Sequence, residues 1–203
     1  GHDPYSSSKA CAELVSTAYQ KSFLNDCGIH LATVRGGNVI GGGDWAKDRL
    51  IPDFFRALEA GKSLQIRSPN AIRPWQHVLE PIFGYLMLAE KLVVDGSNYA
   101  EAWNFGPDKN DARSVSQIVE HLCNKIKGSS WNIENTSQLH EAGLLKIDSS
   151  KAKSRLGWLH QWNIETALNK TIDWYQAWRS RDDLMFVTNS QIDLYEKQIK
   201  NKY

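Results

Sequence analysis

Tyr5 and Lys9 stand four residues apart in DPYSSSKACAEL. Residues at i and i+4 share one face of an α-helix, so a helix here aims both side chains at the same point. An unperturbed phenol ionises near ~10, and a neighbouring ammonium favours the phenolate. The pair can therefore serve as a general base near neutral pH, although the same spacing also occurs on helices with no catalytic role. Arg35 and Asn38 lie three apart in VRGGNVIGGGDW. An Asn there suits a turn, and its amide can also donate to an anion without adding charge. Arg73 precedes Pro74 and Trp75. Its planar fork suits bidentate contact with phosphate, against the ordinary fate of a solvated surface arginine. Arg49, in DRLIP, is a second candidate for the same anion.

These residues need elements to hold them. Ala10, Leu14, Ala18 and Phe23 recur at helical spacing, which predicts a helix from Pro4 to about Asn25 with Asp3 as its cap and Cys27-Gly28 as its stop. Ile29, Leu31, Thr33 and Val34 read as a strand, and the glycines 41–43 as a loop allowing close backbone approach. Further helices are expected at about Pro52–Ala60, Leu79–Val93, Ser114–Lys127 and across IETALNKTIDWYQAWRS. LQIRS and EAWNFGP are short and extended. IDSSKAKSRLGW reads as a serine cap and a short basic helix stopped by Gly157, and the last twenty residues as one more helix or a tail. The sum is an α/β chain with two to four short strands against six helices. The tryptophans at 158, 162, 174 and 178 are expected in the core, on terminal helices.

Composition narrows the classes. With 24 basic and 23 acidic residues in 203, the net charge of +1 gives no reason to expect nucleic acid or a membrane surface. No apolar run approaches the ~20 residues of a membrane span, and there is no signal-peptide pattern. Cys11, Cys27 and Cys123 are odd in number and widely spaced, neither a disulfide framework nor metal spacing, which suits a cytoplasmic protein. No G-x-G-x-x-G follows a strand near the start.

Taken together and in order, PYSSSKACAEL, VRGGNVIGGGDW, RLIPDFFRALEAGKSLQI, IRPWQHVLEPIFGYLML, WNFGP and LKIDSSKAKSRLGW resemble the extended short-chain dehydrogenases/reductases that act on nucleotide sugars, over about residues 3 to 178. GGNVIGGGDWAKDRLIPD looks most like the 4,6-dehydratase branch that takes CDP-glucose. The resemblance implies the C-terminal part of a Rossmann-type NAD(P)-binding fold: the last sheet strand or strands, plus a small mixed α/β substrate-binding domain. It implies NAD as cofactor, held by Tyr5, Lys9, Arg35, Gly36, Asn38 and Val39, with Tyr5 and Lys9 catalytic. A cationic nicotinamide ring would favour the Tyr5 phenolate further. It puts the nucleotide sugar on Asn38, Arg49, Leu50, Gln65, Arg67, Arg73 and His140, with Ile66 flanking the nucleoside. Position 4 of the base would be read by backbone carbonyls or by a Gln side chain, a choice the residues leave open. His140 with Glu141 is otherwise a surface pair, and His77 packs or caps.

The resemblance divides the chain into a dinucleotide-binding remnant at 1–45, a nucleotide-sugar-binding domain mainly at 46–180 and a C-terminal helix or tail at 181–203. It further implies a homodimer or homotetramer, and a chain that begins about half a protein late, without the glycine-rich loop. Ala10, Leu14 and Ala18 would then lie exposed. A 4-epimerase or decarboxylase of the same family shares Tyr5 and Lys9, and a non-catalytic sugar-nucleotide-binding module is the reading from another class.

Overall fold

Why does the opening segment become a helix that buries nothing? The computed structural model describes residues 3–134 and 143–200. In it, α1 (Pro4–Tyr19) starts where Asp3 accepts the Ser6 N–H at 2.9 Å and Pro4 fills a first-turn position. None of its residues is buried. It continues as a wide turn over Gln20–Leu24 and a tight one over Asn25–Cys27, ending at Gly28 with φ 67°, so the regular helix is shorter than its apolar spacing predicts. Polar contacts hold it. Glu13 accepts from Thr33 Oγ1 at 2.7 Å and from Arg35 Nε at 2.9 Å, and Gln20 donates to the Ala100 carbonyl at 2.7 Å. Leu14, Val15, Tyr19 and Phe23 all face outward, as do Ala10 and Ala18.

The chain divides into two compact units that interleave in sequence. The first comprises residues 1–36, 82–105 and 148–158. Its strand β1 (Thr33–Gly36) runs parallel to a strand (Ala102–Phe105) that returns only after most of a long helix has passed. Parallel strands need such crossovers. Trp103, Phe105, Leu88, Leu156 and Trp158 form its core, with Phe105 and Trp158 edge to face at 5.3 Å. The Lys151 ammonium sits 4.4 Å over the Trp103 ring, and Glu101 pairs with both Lys151 and Arg155.

The second unit comprises residues 37–81, 106–147 and 159–203. In chain order its early elements are β2 (Asn38–Ile40), α2 (Leu50–Glu59), β3 (Leu64–Ile66), β4 (Ile72–Arg73) and β5 (Trp75–His77). α3 (Leu79–Val94) begins here and runs into the first unit, followed there by α4 (Gly96–Tyr99) and β6 (Ala102–Phe105). β7 (Arg113–Ser114), α5 (Val115–Lys125), β8 (Trp131–Ile133), α6 (Ile164–Ser180) and α7 (Leu184–Lys200) complete the second unit. β2 pairs with β5 and β3 with β8, both parallel, and β4 with β7 antiparallel. Eight strands are therefore present among the described residues, not two to four. None exceeds four residues, too short a run for an alternating pattern to stand out.

Ile51, Phe54, Phe55, Trp75, Ile118, Leu122, Leu168 and Tyr175 make up much of this unit's core, with Tyr175 stacked on Phe55 at 3.8 Å. Ser114 caps α5 through a full capping box with Gln117. The C-terminal segment is helical: α7 docks through the Trp174 indole N–H on Thr188 Oγ1 at 3.0 Å and Gln191 on the Lys170 carbonyl at 2.9 Å. Trp158 and Trp162 are buried, but in the extended stretch before α6 rather than on helices. Trp174 and Trp178 are half-buried on α6.

Among the described residues no helix is long and apolar enough to cross a membrane, and no cluster of His, Cys, Asp and Glu could hold a metal ion. The glycine run serves packing. A Cβ on Gly42 would lie 2.0 Å from the Trp174 ring. Gly42→Ala is therefore expected to destabilise the second unit by about 1–3 kcal/mol, read as a lowered urea midpoint. An unchanged midpoint would contradict that packing.

Candidate functional site

In the first unit the helix does what the spacing asks. The Lys9 Nζ stands 5.5 Å from the Tyr5 ring centroid, and both side chains are exposed. Phenol and ammonium are thus open to one ligand, which fits the nicotinamide-ribose end of a dinucleotide. Arg35 shares its donors with Glu13 and with Asn104 Oδ1 at 3.3 Å. Burial pushes the Glu13 carboxyl up, but the hydrogen bonds from Thr33 and Arg35 outweigh it and leave the group below its usual range. Gly36 ends β1 opposite Phe105.

The other candidates belong to the second unit. Asn38 opens β2, its N–H donating to the Pro74 carbonyl at 2.7 Å, and Val39 pairs with Gln76. A Cβ at Gly37 would lie 2.2 Å from that same carbonyl, so glycine lets the two strands meet. Arg49 caps α2 without a side-chain cap hydrogen bond, and Leu50 begins the first turn, where backbone N–H groups have no intrahelical acceptor. The loop before it is pinned by Arg56, which donates to the carbonyls of Trp45 (3.0 Å) and Ala46 (2.9 Å). Arg73 is buried in β4, directly opposite Arg113 of β7, and donates to the Ile72 carbonyl at 3.0 Å. Arg73 is thus not a solvated surface arginine. His140 lies outside the described residues.

Gln65 and Arg67 point outward while Leu64 and Ile66 are buried, as the period of a strand requires. Pairing with β8 sets a second row beside the first. Ser63 Oγ is 2.6 Å from Ser130 Oγ, Gln65 is opposite Asn132, and Arg67 Nε is 4.0 Å from Glu134 Oε2. The backbone N–H of Glu134 donates to the Ile66 carbonyl at 2.9 Å. Asn132 and Glu134 escaped the sequence reading. The signal was present: residues 63–67 read Ser-Leu-Gln-Ile-Arg and residues 130–134 read Ser-Trp-Asn-Ile-Glu, the same alternation ending on opposite charges.

Beyond Arg73, the RPWQHVLE stretch is a buried framework. His77 packs edge to face on Trp162 at 4.7 Å, and its Nδ1 accepts the Leu79 N–H at 3.3 Å, so it both packs and caps α3. Burial, with a smaller part from the Lys170 charge, pushes its imidazole down to about 4. Glu80 accepts the N–H of Gln161 (3.0 and 3.1 Å), the N–H of Trp162 (2.7 Å) and the Tyr195 hydroxyl (2.9 Å). Burial raises its carboxyl, against the opposing pull of His160 and of those donors.

Parallel strands joined by helical crossovers, a Tyr–Lys helix and an arginine-bearing strand pair define an α/β protein of the extended short-chain dehydrogenase/reductase type. The family model described as GDP-mannose 4,6 dehydratase matches residues 1–171, and the chain belongs to that family. It is 45% identical over 201 residues to a CDP-glucose 4,6-dehydratase of Salmonella typhimurium, an alignment covering 96% of this chain and 56% of that protein. It is 28% identical to a dTDP-glucose 4,6-dehydratase of Escherichia coli, covering 85% and 48%. The fold matches a UDP-glucuronic acid 4-epimerase of Bacillus cereus, solved with UDP-glucuronic acid and NAD, at TM-score 0.69 and 20% identity over 84% of this chain and 52% of that one. It matches a dTDP-glucose 4,6-dehydratase of Bacillus anthracis, solved with NAD, at TM-score 0.65 and 23% identity, covering 86% and 52%. The chain spans about half the length of the curated relatives it matches.

The lowered His77 value carries a stability sign. A depressed folded-state value means stability is fully present above the unfolded value of 6.5 and is lost as pH falls from there through about 4, a loss of up to about 3 kcal/mol. Glu80, raised, opposes it: its contribution is present at low pH and lost as pH rises through its folded value. His77→Asn keeps an acceptor for Leu79 but does not titrate. Unfolding in urea at pH 7, 5.5 and 4 should show the wild type losing stability relative to this variant as pH falls; parallel pH dependences would contradict it.

Proposed function

We propose that this chain carries the Tyr–Lys helix and the substrate-binding part of an NAD-dependent CDP-glucose 4,6-dehydratase, a lyase forming CDP-4-keto-6-deoxyglucose. The 45% identity to a protein of that activity carries the reading, and the exposed Tyr5–Lys9 pair supports it. NAD, when bound, supplies hydride acceptance at sugar C4 and its return at C6. Tyr5 takes the proton from the C4 hydroxyl as general base. Lys9 holds the ribose of the nicotinamide nucleotide, which Arg35, Gly36, Asn38 and Val39 border. Asn38 and Arg73 bind the diphosphate, with Arg49 a weaker contact for the same anion. The α2 first turn at Leu50 and the outward side chains of Gln65 and Arg67 border the nucleoside, and His140 meets the ribose. The cofactor's pyrophosphate loop is not among these motifs, since the 203 residues hold no G-x-G-x-x-G after a strand near the start. The second reading is a module that binds the nucleotide sugar without turning it over.

We place the protein in the cytoplasm, where free thiols such as Cys11, Cys27 and Cys123 stay reduced. We also read it as a homodimer or homotetramer, a reading that the outward apolar side chains of α1 support.

Incubating the whole dehydratase that carries this chain with CDP-glucose and NAD is expected to give the 4-keto-6-deoxy product. Tyr5→Phe should lower kcat by about 10²- to 10⁴-fold with CDP-glucose still bound, and Arg73→Ala should weaken binding by about ten- to a hundredfold. Turnover by Tyr5→Phe at the wild-type rate would contradict the catalytic role. CDP-glucose bound but never converted would leave the binding module.

A further inference from the structure

We propose that Glu134 is the residue that distinguishes cytosine from uracil. The inference rests on the reading above that the Gln65–Arg67 strand borders the nucleoside. Parallel pairing of β3 with β8 builds one outward polar row in three ranks: Ser63 with Ser130, Gln65 with Asn132, Arg67 with Glu134. Any ligand laid on Gln65 and Arg67 also meets Asn132 and Glu134.

The members of this row differ in what they can discriminate. A hydroxyl both donates and accepts, and an amide can turn either its oxygen or its nitrogen to a partner. Neither tells an amine from a carbonyl. Arg67 only donates and an ionised Glu134 only accepts. Cytosine and uracil differ at position 4, where cytosine carries an amine and uracil a carbonyl. A carboxylate accepts from the cytosine amine and repels the uracil oxygen. Along its edge cytosine offers a donor and then two acceptors, and a carboxylate next to a guanidinium fork is the complement in that order.

The placement suits this role better than a role in stability. The two side chains are 57% and 38% exposed and 4.0 Å apart, and such surface pairs contribute little to folding. The backbone at Glu134 is nevertheless held, because its N–H is bonded to the Ile66 carbonyl of β3.

The test is calorimetric titration of the chain with CDP and with UDP, for wild type, Glu134→Gln and Glu134→Asp, each checked for an intact fold by circular dichroism. The wild type is expected to prefer CDP. Glu134→Gln, whose amide can serve either base, should reduce the CDP-to-UDP affinity ratio about tenfold, and Glu134→Asp, which keeps the carboxylate, should retain most of it. An unchanged ratio in a folded, CDP-binding Glu134→Gln variant overturns the role of Glu134 alone. Equal affinity or a UDP preference in the wild type also overturns it. Binding of neither nucleotide overturns it together with the substrate reading on which it rests.

Discussion

Glu80 is buried with its oxygens turned to the backbone N–H groups of Gln161 and Trp162 and to the Tyr195 hydroxyl. Three parts of the second unit meet there: the turn from β5 into α3, the extended stretch before α6, and α7. Were the acceptor lost, three donors would be left in the interior, each at a cost of about 1–3 kcal/mol. Burying the carboxyl is itself unfavourable, which is why its proton is held more tightly than usual. The rest of the arrangement follows from it. His77, three residues upstream, is clamped against Trp162, and the strand that ends at His77 is the one whose start lies beside Arg73. Pairing with β2 and the packing of His77 on Trp162 are what hold in place a strand only three residues long.

Much of the helical scaffold could be read before the structure. Gly28 and Gly157 both adopt the left-handed conformation expected of helix stops, and Ser114 caps α5 as its capping pattern indicates. Tyr5 and Lys9 share a face because helical geometry leaves them no alternative. The strands were harder, since pieces of two to four residues carry too little alternation to register. Their partners are also remote: Leu64 pairs with Trp131 and Asn38 with Trp75, contacts that no local pattern encodes. α7 reads from sequence as either a helix or a tail because the side chains it turns inward include Gln191 and Tyr195, so no apolar stripe marks its buried face. Gly42 has its own lesson: what reads as freedom for a ligand to approach is filled by the Trp174 ring.

The Tyr5–Lys9 pair and the strands that carry Gln65, Arg67 and Arg73 belong to different units. The Tyr5–Lys9 pair belongs to a helix that buries none of its residues and is held by the polar contacts that its Glu13 and the adjoining Gln20 make with Thr33, Arg35 and the Ala100 carbonyl. The arginines and amides belong to short strands laid over an aromatic and aliphatic core. The proposed nucleotide-binding face therefore consists of elements fixed by their own packing, and Arg67, Glu134, Gln65 and Asn132 are positioned by one pair of parallel strands whose inward residues, Leu64 and Ile66, anchor them.

The claim that these strands form the nucleotide-binding face is tested most directly by amide hydrogen exchange of the chain with and without CDP. Exchange is expected to slow at residues 64–66, 72–77 and 131–134, and to stay unchanged along α1. Protection absent from all three strand regions, or confined to α1, would contradict the account.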